Sequence, residues 1–312
     1  MYKHGWFQVA FERDVVDELT AVAIGSTRLV LVKTEEGLNA YSADCPHRGA
    51  HLAYGGKLQG DCIICPFHGY HVGLGKVSRQ NFRTPVFETL TVGGLVFVRL
   101  SDQFDNGFTP FVTHLAQNHV FVPGFTMMVK ASAALVTENG FDSSHFPAVH
   151  GIVNHPKFTV QYGEDGQLVV TSLFKVPSPD PRQPEPRSVP YKASTFSPGL
   201  IVVQLTGDAP YTVITATTPI STNEARIHLS LALPIAAYGP KPPPQMTQAI
   251  LAYSRGGLED DQVMWENMSL AQPPKYVAQD AAILQFHEFC ERFTENEIET
   301  VHTNGVHHYE AT

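Results

Sequence analysis

Cys45-Pro46-His47 is followed, after 17 intervening residues, by Cys65-Pro66-Phe67-His68. Each segment pairs one thiolate with one imidazole. Two of each can hold a [2Fe–2S] unit, with both sulfurs on one iron and both nitrogens on the other. Glycine follows each segment, at Gly49 and Gly69. It lets the backbone turn tightly and bring N–H groups toward such a cluster. Zinc is the competing occupant: Cys62 and Cys65 form a C-x-x-C, and Cys45 with His47 would complete four ligands. That choice gives His68 no role and draws Cys62 out of Asp61-Cys62-Ile63-Ile64, which reads as a strand entering a turn. The cluster is preferred, with Cys45, His47, Cys65 and His68 as its ligands; His51 and His71 stay outside that set.

A second constellation lies in Glu138-Asn139-Gly140-Phe141-Asp142-Ser143-Ser144-His145-Phe146-Pro147-Ala148-Val149-His150. Two histidines with one carboxylate leave three positions of a six-coordinate Fe(II) open, room for O2 beside a substrate. Residues five apart lie about 140° apart on a regular helix. His145 and His150 can therefore share a metal only if the helix is distorted or ends between them. Pro147 lacks the amide that would bond back one turn, and a bulge or break is expected there. Two ordinary core or capping histidines are the plainer alternative.

The elements that must position these residues divide the chain in two. The 312 residues suffice for two modest domains. The first hundred read as short strands, such as Leu29–Val32 and Leu95–Val98, bounded by turns such as Gly93-Gly94. Residues 101–125 read as a linker with one short helix around His114–Asn118. Strands are then expected at 129–136, 158–162, 167–175, 200–206, 211–217 and 225–233. In the last, Ile227, Leu229, Leu231 and Leu233 alternate with Arg226, His228, Ser230 and Ala232, the period of a half-buried strand. Helices are expected over about 138–150, from Pro242-Pro243-Pro244 to about 268, and over 276–295, where Ile283, Phe286, Phe289, Cys290 and Phe293 share a face. Six prolines in 177–190 exclude a central strand and predict a stiff surface loop. The class is α+β, an antiparallel sheet covered by helices after an all-β N-terminal domain.

Composition narrows the function. A net charge of −9 speaks against nucleic acid. Four cysteines make no disulfide scaffold. No apolar run approaches the roughly 18 residues of a membrane span, and the start of the chain lacks a secretory leader, so a cytoplasmic location is expected.

C-P-H-R-G-A and C-P-F-H-G-Y resemble the Rieske domain of ring-hydroxylating and related non-haem iron oxygenases. Respiratory Rieske proteins of high potential carry an extra cysteine in each loop; Ala50 and Phe67 stand there, which favours the lower-potential branch. Tyr70 replaces the family's usual Trp. Glu138–His150 resembles the family's (E)N-x-x-D-x-x-H-x4-H pattern. The resemblance implies His145 and His150 as ligands of a mononuclear iron, and Asp142 as a carboxylate bridging a cluster histidine of a neighbouring subunit to an iron-ligand histidine. It places the third ligand on a late helix, where Glu259-Asp260-Asp261-Gln262-Val263-Met264-Trp265-Glu266 offers Asp261 first, Asp260 as fallback and Glu259 after them. The region from Gln272 to Phe293 is weakly similar to the 3-ketosteroid 9α-hydroxylase-like subgroup.

The fold implied is a Rieske [2Fe–2S] domain over 1–112 and a helix-grip-like catalytic domain over 113–312. The activity implied is O2-dependent monooxygenation, by hydroxylation or oxidative dealkylation, of a small apolar or aromatic substrate. Cis-dihydroxylation of an arene, a Rieske electron carrier without oxygenase activity and a zinc-stabilised structural protein are the alternatives. No G-x-G-x-x-G is present, so electrons from NAD(P)H must arrive from a separate reductase, through a ferredoxin or a fused flavin–iron–sulfur protein. Family analogy implies a homotrimer. Phe141, Phe146, Val149, Met264, Trp265 and Met268 are the expected pocket residues.

Overall fold

The computed structural model describes residues 2–75, 81–178, 182–269 and 271–294. The first part is built of strands β1 (Trp6–Phe11), β2 (Leu19–Ile24), β3 (Thr27–Thr34), β4 (Gly37–Ser42), β5 (Lys57–Gln59), β6 (Cys62–Ile64), β7 (His71–Leu74), β8 (Phe82–Thr84), β9 (Val86–Val92) and β10 (Leu95–Arg99). One sheet runs β1-β10-β9-β4-β3-β2, and a smaller one runs β5-β6-β7-β8. The two cysteine-histidine segments occupy the connections from β4 to β5 and from β6 to β7.

The second part comprises α1 (Phe108–Asn118), β11 (His119–Val129), α2 (Ala133–Glu138), α3 (His145–Val149), β12 (Thr159–Tyr162), β13 (Leu168–Val176), β14 (Arg187–Ser197), β15 (Leu200–Leu205), β16 (Tyr211–Ser221), β17 (Glu224–Pro234), α4 (Ile235–Tyr238), α5 (Pro244–Asn267) and α6 (Ala281–Glu291). Its strands form one antiparallel sheet, β11-β17-β16-β15-β14-β13-β12. This is the α+β arrangement expected. Among the described residues no helix is long and apolar enough to cross a membrane.

Several sequence expectations change. The segment 119–125 is not linker but the start of edge strand β11, whose Pro123 sits at a bulge, where a missing amide costs no ladder bond. The expected strand 129–136 ends at Val129. Ser132 accepts a hydrogen bond from the Leu135 amide at 3.2 Å and starts α2 as an N-cap. The expected helix over 138–150 is broken: α2 stops at Glu138, a 3-10 turn spans Asn139–Phe141, and α3 is a single short helix. The Pro-rich segment is a loop only as far as Pro186. Residues 179–181 lie outside the described residues, and β14, missed in the sequence, begins at Arg187 and is central. Pro190 is tolerated because β15 pairs with β14 only from Tyr191 onward, so β14 is locally an edge there. The helix expected over 276–295 is α6, preceded by a 3-10 turn at Ala278–Asp280; residue 295 lies outside the described residues.

Strand β17 is buried on both faces, not one. Ile227, Leu229, Leu231 and Leu233 pack beneath α5. The other face meets the N-terminal sheet: Trp6, Phe11, Leu95, Phe97, Ile214, Ala216 and Ala232 form one core with Phe108 and Val112 of α1. Residue 112 thus lies inside a helix that packs into this shared core. Arg13 adds a polar tie, donating to the Pro123 and Gly124 carbonyls of the β11 bulge at 2.8 and 2.7 Å.

His228 lies in this seam, 3% exposed, with the Phe11 ring edge-on at 5.3 Å and no partner for Nδ1. Burial first, then the Arg226 charge, pushes its pKa down to about 3. The unfolded chain takes up that proton near pH 6.5, well before the folded one does, so stability falls as pH drops through this window. The slope contributed is up to about 1.4 kcal/mol per pH unit. Urea unfolding of His228→Gln between pH 6.5 and 5 should show a flatter decline than the parent; equal slopes would clear His228 of this role.

Candidate cluster loops and metal centre

The two cysteine-histidine segments form matching turns. The Gly49 amide donates to the Cys45 carbonyl at 2.8 Å and the Cys45 amide to the Ala50 carbonyl at 2.9 Å. The Gly69 amide donates to the Cys65 carbonyl at 2.9 Å and the Cys65 amide to the Tyr70 carbonyl at 2.8 Å. Each turn closes on a glycine at positive φ, 71° at Gly49 and 72° at Gly69, a region open to glycine at little cost. Both glycine amides are spent inside the turns.

Cys45 and Cys65 are buried, 2% and 1% exposed, in an apolar cluster with Val30, Ile63 and Val72. Burial raises the Cys45 thiol pKa, with Cys65 beside it adding to the rise. The His47 and His68 rings are 4.8 Å apart by centroid, nearly perpendicular. His47 Nδ1 is buried with no hydrogen-bond partner, and a buried unsatisfied nitrogen is costly unless something coordinates it. Two adjacent buried thiols beside an orphaned imidazole nitrogen are a donor set that fits a Rieske-type [2Fe–2S] group. Cys62 is engaged elsewhere: its thiol donates to the Gln59 carbonyl at 3.1 Å and lies 3.5 Å from His71 Nδ1.

His145, His150 and Asp261 come together, with one ligand atom of each lying within 4.8 Å of the others. His145 opens α3, and His150 caps its C-terminus with φ −103° and ψ 5°. The helix ends at Val149, so the two rings escape the regular spacing and stand 5.0 Å apart. The break is therefore not at Pro147, which sits in the first turn of α3, where no amide partner is needed. Asp261 is 6% exposed on the inner face of α5, with Oδ1 3.3 Å from His150 Nε2. Bonds of about 2.1 Å to a divalent metal put neighbouring ligands about 3 Å apart, which this pair matches. The donors fit a metal of imidazole and carboxylate preference with open positions. Asp260 is exposed, and Glu259 pairs with Arg255 at 3.8 Å. Of the three acids considered, only Asp261 joins the histidines.

The ring orientations are set locally. His145 Nδ1 lies 2.6 Å from the Asp142 carbonyl, so it carries the proton and leaves Nε2 free. Burial lowers the His145 pKa, against the opposing pull of Asp261, and keeps the ring neutral as a ligand must be. The Asp142 carboxylate caps α3: Oδ1 accepts from the Ser144 and His145 amides at 2.8 and 3.2 Å, while Oδ2 stands 4.0 Å from His145 Nδ1. One turn beyond Asp261, Trp265 Nε1 donates to Asn139 Oδ1 at 3.1 Å, tying α5 to the turn before the histidines.

A cavity of about 920 Å³ borders the triad. Phe146, Val149 and Trp265 line it as expected. Phe141 instead stacks on Phe286 in the core, with ring centroids 4.7 Å apart. Met264 and Met268 are each half exposed, on the outer side of α5 and past its end. Most of the wall was missed: Ile201, Val203 and Leu205 of β15, and Tyr211, Val213 and Thr215 of β16. Their alternation along each strand was the available signal.

The family models agree with this geometry. The Rieske [2Fe-2S] domain matches residues 5–86, and the 3-ketosteroid 9alpha-hydroxylase C-terminal domain matches residues 103–294. The chain belongs to the Rieske oxygenases, in the group that this C-terminal domain defines, and zinc is set aside as the occupant of the loops. Cholesterol 7-desaturase nvd of Hemicentrotus pulcherrimus is 25% identical over 170 residues, 48% of this chain and 36% of that protein. The chain thus matches only about a third of that relative's length. Dicamba monooxygenase bound to dicamba shares the fold with a TM-score of 0.72 at 17% identity, covering 93% of this chain and 97% of that one. NdmA of Pseudomonas putida CBB5 with caffeine does so at 0.69 and 18% identity, covering 92% and 89%.

Proposed function

We propose that the chain is the oxygenase component of a multicomponent Rieske monooxygenase acting on a small apolar or aromatic substrate by hydroxylation or oxidative dealkylation. The observation that carries this reading is the meeting of His145, His150 and Asp261 on a largely apolar cavity, in a chain that also holds the paired cysteine-histidine turns. Residues 1–112 would hold the cluster through Cys45, His47, Cys65 and His68; residues 113–312 would hold the iron through His145, His150 and Asp261. When bound, the cluster supplies single electrons and the iron supplies O2 activation beside the substrate.

The chain's own contribution is placement. The Asp142 carbonyl fixes the His145 tautomer. Asn139 and Trp265 hold α5 so that Asp261 faces His150. The aliphatic wall from β15 and β16 orders an apolar substrate and excludes water. The monooxygenase named among the structural relatives supports insertion of one oxygen atom over two. A separate reductase with a ferredoxin, a cytoplasmic location and a homotrimer with Asp142 bridging between subunits complete the proposal.

Anaerobically reconstituted protein should contain three irons per chain, two in the cluster and one in the triad. A substrate panel with a surrogate reductase, read by mass, should show a gain of one oxygen or loss of an alkyl group. Full turnover in a preparation with two irons per chain would overturn the two-site reading.

A further inference from the structure

We propose that Arg28 is a positioning residue for the first cluster loop and the counter-charge that sets its electrostatic environment. This rests on the reading that the paired turns hold a [2Fe–2S] cluster. The two turns are anchored unequally. The second, residues 65–70, joins β6 directly to β7, which pair with each other, so its ends are held by the sheet. The first lies within residues 43–56, a long connection between β4 and β5, strands of different sheets.

Arg28, on β3, grips that connection at three points. Its carbonyl accepts from the Ala43 amide at 3.0 Å. Its Nη2 pairs with Asp44 Oδ1 and also donates to the Gly49 carbonyl at 3.0 Å. One side chain thus ties the residue before Cys45 to the glycine that closes the turn, with Cys45 and His47 between them. An exposed ion pair alone contributes little, and both partners are about half exposed. The second acceptor makes the difference, because it spans the ligand-bearing segment and fixes its ends relative to β3.

The charge matters separately. Asp44 places a carboxylate next to Cys45, and a negative charge there opposes reduction of a cluster that gains an electron. The Arg28 guanidinium balances it. Removing the arginine leaves the carboxylate uncompensated, so the midpoint potential should fall; removing Asp44 should raise it.

The test uses the full-length, cluster-loaded protein with Arg28→Gln, Arg28→Lys, Asp44→Asn and the Arg28→Gln/Asp44→Asn double variant. Voltammetry gives the midpoint potential, and visible absorption under chelator gives the rate of cluster loss. Arg28→Gln should lower the potential and lose cluster about tenfold faster, the scale on which partners behind metal ligands act. Arg28→Lys should keep the potential and lose cluster faster, because the lysine ammonium ends one bond short of Nη2, which alone reaches both Asp44 and the Gly49 carbonyl. Asp44→Asn should raise the potential. The double variant should restore the potential and not the retention. If Arg28→Gln does not accumulate, Arg28→Lys and Asp44→Asn carry the two halves of the test. An unchanged potential in Asp44→Asn, or retention in Arg28→Lys equal to wild type, overturns the proposal. A wild-type chain with no Rieske EPR signal would defeat the cluster reading itself; a normal wild-type signal with insensitive variants defeats the role of Arg28 alone.

Discussion

His145→Ala should abolish substrate oxidation while leaving the cluster spectrum intact. The ring supplies one of three donors at a site where His150 Nε2 and Asp261 Oδ1 already stand 3.3 Å apart. Without it, a divalent iron keeps two protein ligands on a wall that is otherwise largely apolar. The electrostatic contribution of a bound metal to an oxygen-centred reaction is several kcal/mol. At 1.36 kcal/mol per decade that is about a thousandfold or more in rate. Iron should fall from three to two per chain, with the Rieske EPR signal and reduction by the partner reductase unchanged. Wild-type turnover in this variant would remove His145 from the catalytic iron site.

Asp142→Asn separates the two roles open to Asp142. In the structure its carboxylate is a helix cap, receiving the Ser144 and His145 amides on Oδ1. Asparagine caps a helix about as well as aspartate, so α3 and the iron site should survive. What the change removes is the charge of a partly exposed carboxylate whose Oδ2 stands 4.0 Å from His145 Nδ1. If that carboxylate links the cluster of a neighbouring subunit to His145, multiple-turnover activity should fall about a hundredfold, as for partners that orient metal ligands. Iron content and melting temperature should stay at the wild-type level. Single-electron transfer, followed by stopped-flow reoxidation of the reduced cluster, should slow in parallel. Unchanged reoxidation would leave Asp142 as a cap and nothing more.

The candidate ligand sets were legible because they are short and chemically unusual. A thiolate and an imidazole within three or four residues, twice over, have few uses, and two histidines after E-N-x-x-D have few more. What escaped was set by packing. Strand β14 was hidden by Pro190, tolerated only because β15 stops short of it. The strand expected over 129–136 failed because Ser132 caps a helix there, a local bond that outweighs the apolar run. Met264 and Met268 were placed in the pocket on composition, yet the turn of α5 that carries Asp261 and Trp265 inward leaves both methionines half exposed. The alternation in β17 predicted one wet face, and no single-strand pattern could show that a second sheet covers it.

That covered face constrains how such a chain can be taken apart. Cutting before α1 would strip the cover from Phe196, Ile214, Ala216 and Ala232 and open His228 and Ser230 to solvent, a sticky surface no catalytic fragment could carry unaided. The cluster-bearing half would in turn bare Trp6, Phe11 and Phe97. Each half is therefore the other's missing layer, and recombination between related chains would have to exchange whole seams, not cassettes, to yield a soluble product.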